Sequence, residues 1–439
     1  MASSSVPSLP VIFTTKTQYP LPTQKFMIPS TWKRYQLSQL VNKALSLTNI
    51  IPFDFLIHGE VLRASLGEWN AEKGAGEEET LEIEYIESLM PPQKMSSLPH
   101  EDWVSSISCQ VSGHFLTSSY DGNVRLFDYT QKLQLSAPIH AAPITAVCAV
   151  PSSSPSSMLL ATASHDLTAR LTQLTLPDAS SPSDPPQTQT LASMHLHTAP
   201  LSSIAANPAG THLLSSSWDG LIGLWDTTTP ENDEVPYEAG PDRQKKRRRV
   251  AGDDVKRKAP AAVLKSHTAR VSKVIFGDDG NSAVSCGFDS TVRVWDIENG
   301  VCTSTINASE KPFLAMALPH TSGAPQTALA ASTDRTVTLF DLRTTATASA
   351  AVFVHPATPA ALAFSEKSGS QQFVSGAYDG VVRLWDLRST AREMSSFRVW
   401  EDKAGRKVLG VDWARGVVGI AGEGGVEVWR VSEGGSEEG

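Results

Sequence analysis

The nine residues "YDGNVRLFD" at positions 120–128 set an aromatic and an acid before a glycine turn, then an alternating strand that ends in a second aromatic and Asp. The frame returns as "WDGLIGLWD" (218–226), "FDSTVRVWD" (288–296), "TDRTVTLFD" (333–341) and "YDGVVRLWD" (378–386), and in degenerate form as "EGGVEVWR" (423–430). In each copy an acid stands six residues before the closing aromatic: Asp121, Asp219, Asp289, Asp334, Asp379 and Glu423. A weaker copy, "SHDLTARLTQ" (164–173), puts Asp166 in the same place but ends without Trp or Phe. Successive turn acids lie 45, 53, 70, 45, 45 and 44 residues apart. A fixed period of this kind outranks any local signal.

Each unit reads as an alternating strand, a tight Asp/Gly turn and a second strand. One such sheet cannot cover its own apolar face, whereas several stacked radially bury those faces and leave only short edges. The period of about 40–45 residues resembles that of WD40 blades, and seven copies imply a seven-bladed, all-β propeller. His100, His140, His197 and His267 each lie four residues before an apolar strand position, and His355 sits comparably. In WD40 families such a His, a strand Ser or Thr, the turn Asp and the Trp form a hydrogen-bonded network inside the blade. The turn acids are therefore structural. Their regular repetition argues against catalysis, which needs one local constellation, and no GxSxG, HExxH, Walker or dinucleotide motif is present. The seventh copy lacks both an opening His and an outermost strand of its own. Residues 87–99 are expected to act as linker and to supply that strand, within the limit set by Pro91 and Pro92.

Two insertions interrupt the period. Residues 176–190, "LPDASSPSDPPQTQT", are expected to be a flexible loop. The insert 228–262 carries Lys245, Lys246, Arg247, Arg248 and Arg249, followed by Lys256, Arg257 and Lys258. Two basic clusters with a short spacer suit the extended groove of an import receptor, so importin is the expected partner and the nucleus the expected location. The same charges would attract a phosphate backbone, which leaves room for contact with ribosomal RNA.

Residues 8–86 have another character. "LPVIFTT" reads as a strand, and "YQLSQLVNKALSL" places Leu37, Leu40, Val41, Ala44 and Leu45 on one helical face. "IPFDFLIHGEVLRASLGEW" reads as a strand, a glycine turn and a second short element. "TLEIEYIE" alternates Leu81, Ile83 and Tyr85 with Glu82 and Glu84. This is an α+β order compatible with a ubiquitin-like β-grasp. Glu77, Glu78 and Glu79 then occupy the loop that feeds the last strand. The whole chain is 40% hydrophobic and 19% charged, with a net charge of −9 that disfavours a general nucleic-acid binder. It has no apolar run near the ~18 residues of a membrane span and no basic-then-apolar leader. Cys109, Cys148, Cys286 and Cys302 are scattered without a CxxC pair, which argues for a reducing compartment and against a zinc site or disulfide framework. Residues 433–439 form an acidic tail.

The order of "PFDFLIHGEVLRASL", "ETLEIEYIESLMPP", "EDWVSSI" and seven blades with a basic insert resembles one family over nearly the whole chain. It is similar to the WD-repeat subunits of the PeBoW ribosome-assembly complex, which carry an NLE-type ubiquitin-like domain. The resemblance implies a non-enzymatic factor for the large (60S) subunit, acting in pre-rRNA processing and particle maturation in the nucleolus and nucleoplasm. It implies a propeller docked on the propeller of the block-of-proliferation protein, with Pescadillo, on the pre-60S particle. It also implies that the metal-ion-dependent adhesion site (MIDAS) of midasin, an AAA ATPase, grips a glutamate three positions before the last strand's first leucine. That leucine is Leu81 and the glutamate Glu78, with Glu77 and Glu79 one residue away on either side. Mg²⁺ would be held by the partner, with Glu78 ligating in trans, and the chain would need no cofactor of its own.

Two rivals stand beside this reading. Notchless-type assembly factors share the ubiquitin-like domain but look eight-bladed. A substrate receptor of a cullin ubiquitin ligase is suggested by "WDLR" at Trp385–Arg388 and "FDLR" at Phe340–Arg343, which resemble a WDxR motif.

Overall fold

A computed structural model describes residues 7–47, 49–74, 80–88, 91–152, 157–176, 186–235, 255–307, 310–321, 323–344, 349–366, 371–401 and 405–431. The chain divides into two compact units, one dominated by residues 7–93 and the other by residues 94–429.

The first unit is an α+β domain. Its strands β1 (Ser8–Thr14), β2 (Lys25–Pro29), β3 (Phe53–Ile57), β4 (Glu60–Val61) and β5 (Leu81–Glu87) form one sheet in the order β2-β1-β5-β3-β4. Only β1 and β5 run parallel among its registered pairs, with Val11 opposite Leu81 and Phe13 opposite Ile83. Helix α1 (Arg34–Leu45) joins β2 to β3, and α2 (Leu66–Lys73) precedes β5. The inner face gathers Val11, Phe13, Leu37, Val41, Phe53, Phe55, Ile83 and Tyr85 into one core. Alternation on β5 is as expected, with Leu81, Ile83 and Tyr85 buried and Glu82 exposed. The helical face is narrower than expected, because Ala44 is exposed and Asn42 is buried instead. Asn42 is tolerated there because its amide donates to the Ile51 carbonyl at 2.6 Å and accepts from the Ile51 N–H at 2.8 Å.

The second unit is the propeller. Seven antiparallel four-stranded sheets follow among the described residues, one of them extended by a fifth strand. Their first strands are Val104–Ser108, Ile144–Val150, Leu201–Ala206, Val271–Phe276, Phe313–Ala317, Pro359–Phe364 and Val408–Ala414. Each of these touches the next in order, and the last touches the first, so the ring closes on itself. The number of sheets in that ring is the seven expected for the WD40 reading and not eight. The segment Gln93–Leu98 (β6) is the outermost strand of the last sheet, beside Gly425–Arg430. A strand from before the first blade thus completes the last one and covers the edge that Gly425–Arg430 would otherwise expose.

A feature of the backbone repeats where no residue pattern announces it. Every first strand carries a register shift after its first residue, for example between Val104 and Ser106, Leu201 and Ser203, and Val408 and Gly410. A bulge adds twist, which the innermost strand of a blade needs. Two bulge residues also tie blades together: Ser202 donates to the Val271 carbonyl at 2.7 Å and Ser272 to the Phe313 carbonyl at 2.6 Å. Turn glycines keep the blade tips tight. Gly122 has φ +81°, and a Cβ there would run into the His140 carbonyl oxygen, so only glycine fits.

Candidate functional site

Glu77, Glu78 and Glu79 lie outside the described residues, and so do Lys245–Arg249. What surrounds the glutamates is described. Helix α2 opens on a capping box, in which Ser65 Oγ accepts from the Glu68 N–H at 3.3 Å and Glu68 accepts from the Ser65 N–H at 3.0 Å. The Ser65 N–H bond, then the Ser65 hydroxyl, hold the Glu68 carboxyl below its ordinary range. The helix ends on Gly74 at φ +68°, a left-handed cap. On the far side, Leu81 is buried between β1 and β3, and Thr80 accepts from Lys25 Nζ at 3.3 Å. Both exits of the six-residue connection 75–80 are therefore fixed by packed elements, one a helix cap and the other the central strand of the sheet. Among the described residues no group of three or more His, Cys, Asp or Glu could hold a metal ion, and no helix is long and apolar enough to cross a membrane.

The second basic cluster is not a free charge run. Lys256–Lys258 form a short strand parallel to Gln187–His195, with Ser193 opposite Arg257 and Met194 opposite Lys258. Lys258 is 1% exposed, and its ammonium donates to the Asp226 carboxylate and to Thr228. The Arg257 N–H donates to Asp233 at 2.8 Å, its carbonyl accepts from the Glu234 N–H at 2.9 Å, and Ala259 N–H donates to Glu234 at 3.0 Å. The expectation that Lys256, Arg257 and Lys258 lie in an open insert is corrected by this placement. A lysine on the strand added to the second sheet, sealed against Asp226 of the third, is not offered to a receptor groove. The available signal was the acidic run "ENDE" at 231–234, which mirrors "KRK" at 256–258. The Ser/Pro loop is likewise shorter than the expected 176–190, since Gln187 already belongs to a strand.

The turn acids are hydrogen-bonded within their own blades. In the third blade the indole N–H of Trp225 donates to Ser215 Oγ at 2.8 Å, Ser215 bonds His197 Nε2 at 2.9 Å, and His197 Nδ1 bonds Asp219 at 3.1 Å. Because an indole can only donate, the chain has one direction, and the carboxylate is its terminal acceptor. The fourth blade repeats it through Trp295, Ser285, His267 and Asp289. The second blade keeps His140, Thr162 and Asp166 but places Thr172 where the Trp stands, and the buried Thr172 hydroxyl has no partner among the described residues. Burial alone would raise the Asp166 carboxyl; hydrogen bonds from His140 and Thr168 outweigh it and hold the group at about 2. In the first blade Asp121 instead takes Arg125, while His100 bonds Thr117 at 2.9 Å and is pushed down to about 4 by burial.

Asp334 caps only its own turn, through the Thr336 N–H at 3.0 Å and its hydroxyl at 2.5 Å. Asp379 accepts from the Val381 N–H at 3.0 Å. Glu423 accepts from the Lys407 N–H at 3.2 Å. The seventh blade has found a substitute for the missing network in Glu427, which takes the Trp429 indole at 3.0 Å and the Trp400 N–H at 3.2 Å. In the two WDxR-like tetrapeptides the arginine is turned back on its own strand: Arg388 forks onto Asp386 at 2.7 and 2.8 Å, and Arg343 onto Asp341 at 2.7 and 3.0 Å. Both forks cap a turn, so the guanidinium such a motif would offer is engaged within the chain.

A family profile described as the NLE (NUC135) domain matches residues 9–69. A second, the WD domain, G-beta repeat, matches residues 92–128, 188–226, 258–296 and 355–386. These four segments end on the first, third, fourth and sixth blades, all of which have both an opening His and a closing aromatic. A ribosome biogenesis protein YTM1 from Laccaria bicolor is 59% identical over 443 aligned positions, covering 98% of this chain and 96% of the relative. One of the same name from Coprinopsis cinerea is 56% identical, covering 96% and 94%. The Saccharomyces cerevisiae (strain ATCC 204508 / S288c) protein of that name is 33% identical, covering 89% of each chain. With both domains present and the match running nearly end to end, the chain belongs to the YTM1 family of ribosome biogenesis proteins.

Proposed function

We propose that this protein is a non-enzymatic assembly factor of the 60S subunit that acts in pre-rRNA processing and particle maturation. Its propeller docks on the propeller of the block-of-proliferation protein, in a complex with Pescadillo on the pre-60S particle. Its ubiquitin-like domain is the handle by which the MIDAS domain of midasin pulls that complex away, with Glu78 completing the coordination of a partner-held Mg²⁺ and Glu77 and Glu79 adding attraction. The chain itself needs no cofactor. Import through Lys245–Arg249 brings it to the nucleus, where it works in nucleolus and nucleoplasm, and the same charges are available to ribosomal RNA.

One observation carries the reading: a stiff sheet and a capped helix frame a six-residue connection holding three consecutive glutamates, in a member of this family. A carboxylate presented on a rigid scaffold is suited to fill the open position of a hard cation. The test is binding of the full chain to the midasin adhesion domain, in Mg²⁺ against EDTA and wild type against Glu78→Ala. Loss of a desolvated charged partner costs roughly 2–5 kcal/mol, a weakening of about thirtyfold or more. Unchanged binding by the variant returns Glu78 to a solvated turn and moves the test to Glu77 and Glu79.

A further inference from the structure

In five of the seven sheets the second strand is followed by a ring side chain placed directly before the turn acid: Tyr120, His165, Trp218, Phe288 and Tyr378. One backbone hydrogen bond sets all five, and Thr333 as well. The N–H of the rim residue donates to the carbonyl of the residue just before that sheet's first strand, as in Tyr120 to Trp103 at 2.8 Å, Trp218 to Pro200 at 3.0 Å and Phe288 to Arg270 at 2.8 Å. The rings consequently stand at the same end of the propeller. Across three adjacent sheets they touch in series: Trp103 to Tyr120 at 5.8 Å, Tyr120 to His165 at 6.5 Å, His165 to Trp218 at 5.5 Å. The series ends on Arg270, whose guanidinium lies 5.3 Å from the Trp218 ring centre and 3.2 Å from that of Phe288.

Two properties of this arc are unlike a merely packed rim. Trp103 and Trp218 are each 43% exposed, so large apolar rings face solvent. Arg270 is held by rings alone: among the described residues its guanidinium makes no hydrogen bond and no ion pair. Other arginines of the propeller are engaged, Arg125 on Asp121 and Arg343 on Asp341. A stacked guanidinium loses little freedom on binding and keeps its donor fork open for a carboxylate. Trp, Tyr and Arg are also the side chains that carry most interface energy.

We propose that the arc from Trp103 to Phe288 is the docking surface for a protein segment that lays an apolar side chain on the rings and seats a carboxylate on Arg270. A nucleic acid is disfavoured by the carboxylates of Asp102, beside Trp103, and of Glu423, whose N–H makes a rim bond to the Lys407 carbonyl at 3.1 Å in the seventh sheet. The inference deepens the docking role proposed above and rests on it for the identity of the partner, though not for the chemistry of the site.

The experiment uses the full chain and the propeller of the block-of-proliferation protein as probe. The variants are Arg270→Glu, Trp218→Ala and, as control, Arg335→Glu on the exposed turn of the fifth sheet. Melting curves show that each is folded. Arg270→Glu is expected to weaken binding by about thirtyfold or more and Trp218→Ala by about tenfold, with Arg335→Glu unchanged. Reversing the charge of the contacted acid in the probe should restore Arg270→Glu. Equal binding by Arg270→Glu and wild type overturns the proposal while leaving the partner intact. If wild type does not bind this probe, that partner is wrong, and a photo-crosslinker at position 218 of the particle-bound chain decides the rest. Crosslinks to an acidic segment of one assembly protein, lost with Arg270→Glu, sustain the arc. Crosslinks to RNA, or none while the chain still sediments with the particle, overturn it.

Discussion

Lys94 and Glu427 form an ion pair of 2.6 Å between the strand that precedes the first blade and the third strand of the last. Glu427 is 2% exposed at its side chain and Lys94 is 47% exposed, so the carboxylate is the buried member. It is held by three donors: the Lys94 ammonium, the Trp429 indole and the Trp400 N–H. This one acid closes the ring and substitutes for the histidine network the seventh blade lacks. Trp400 packs on Gly424, where any Cβ would collide with its ring, so the same corner cannot be rebuilt with a larger residue.

Glu427→Ala strands two buried donors and is expected to cost about 2–4 kcal/mol. Lys94→Ala removes a half-exposed partner and should cost about 1 kcal/mol or less. Thermal melting with hydrogen exchange on residues 93–98 checks both. A wild-type melt for Glu427→Ala would show that β6 is held by its backbone alone.

Thr172 marks the opposite situation, a polar atom without employment. It occupies the position of the network tryptophan, buried and with no partner for its hydroxyl among the described residues. Thr172→Val keeps the shape and the strand preference while deleting the orphaned group. Stabilisation by about 1 kcal/mol is expected, read as a rise in the melting temperature of the propeller. A fall would mean that the hydroxyl is satisfied in solution.

His100 gives the propeller a pH dependence. Burial lowers its folded value to about 4, whereas an unfolded histidine titrates near 6.5. Between those values the unfolded chain binds more protons, so stability rises with pH across the window. The contribution is complete above about 6.5 and is lost as pH falls through about 4. Denaturant melts at several pH values should show this slope in wild type and a shallower one in His100→Gln. Parallel slopes would place the titration elsewhere.

The sequence is most legible where a function is repeated. Seven turn acids at a near-constant period disclose the blades, and alternation in "TLEIEYIE" discloses the central strand of the first unit. It is least legible where a contact spans distance or belongs to the backbone. Lys258 reads as one more charge until Asp226, 32 residues back, is seen to bury it. The seven strand bulges leave no residue signature because register is a property of paired backbones. Arg270 carries no motif at all. Its role comes from Phe288, across its own sheet, and from Trp218, which only the stacking of the third and fourth blades brings beside it.

The basic insert is expected to divide into two parts with different tasks. Lys258→Ala removes a buried ammonium and its packing, and leaves Asp226, which is partly solvated, without its cation. A cost of about 2 kcal/mol is expected, with lower melting temperature. Nuclear entry of the folded protein should stay at the wild-type level, because this lysine is buried between the second and third blades. Neutralising Lys245–Arg249 should have the opposite profile: an unchanged melt and lost nuclear accumulation. Fluorescent full-length chains followed in living cells, beside melts of the same variants, separate the two. If folded Lys258→Ala stays outside the nucleus, the short strand must peel away to meet the import receptor, and the insert acts as one bipartite signal after all.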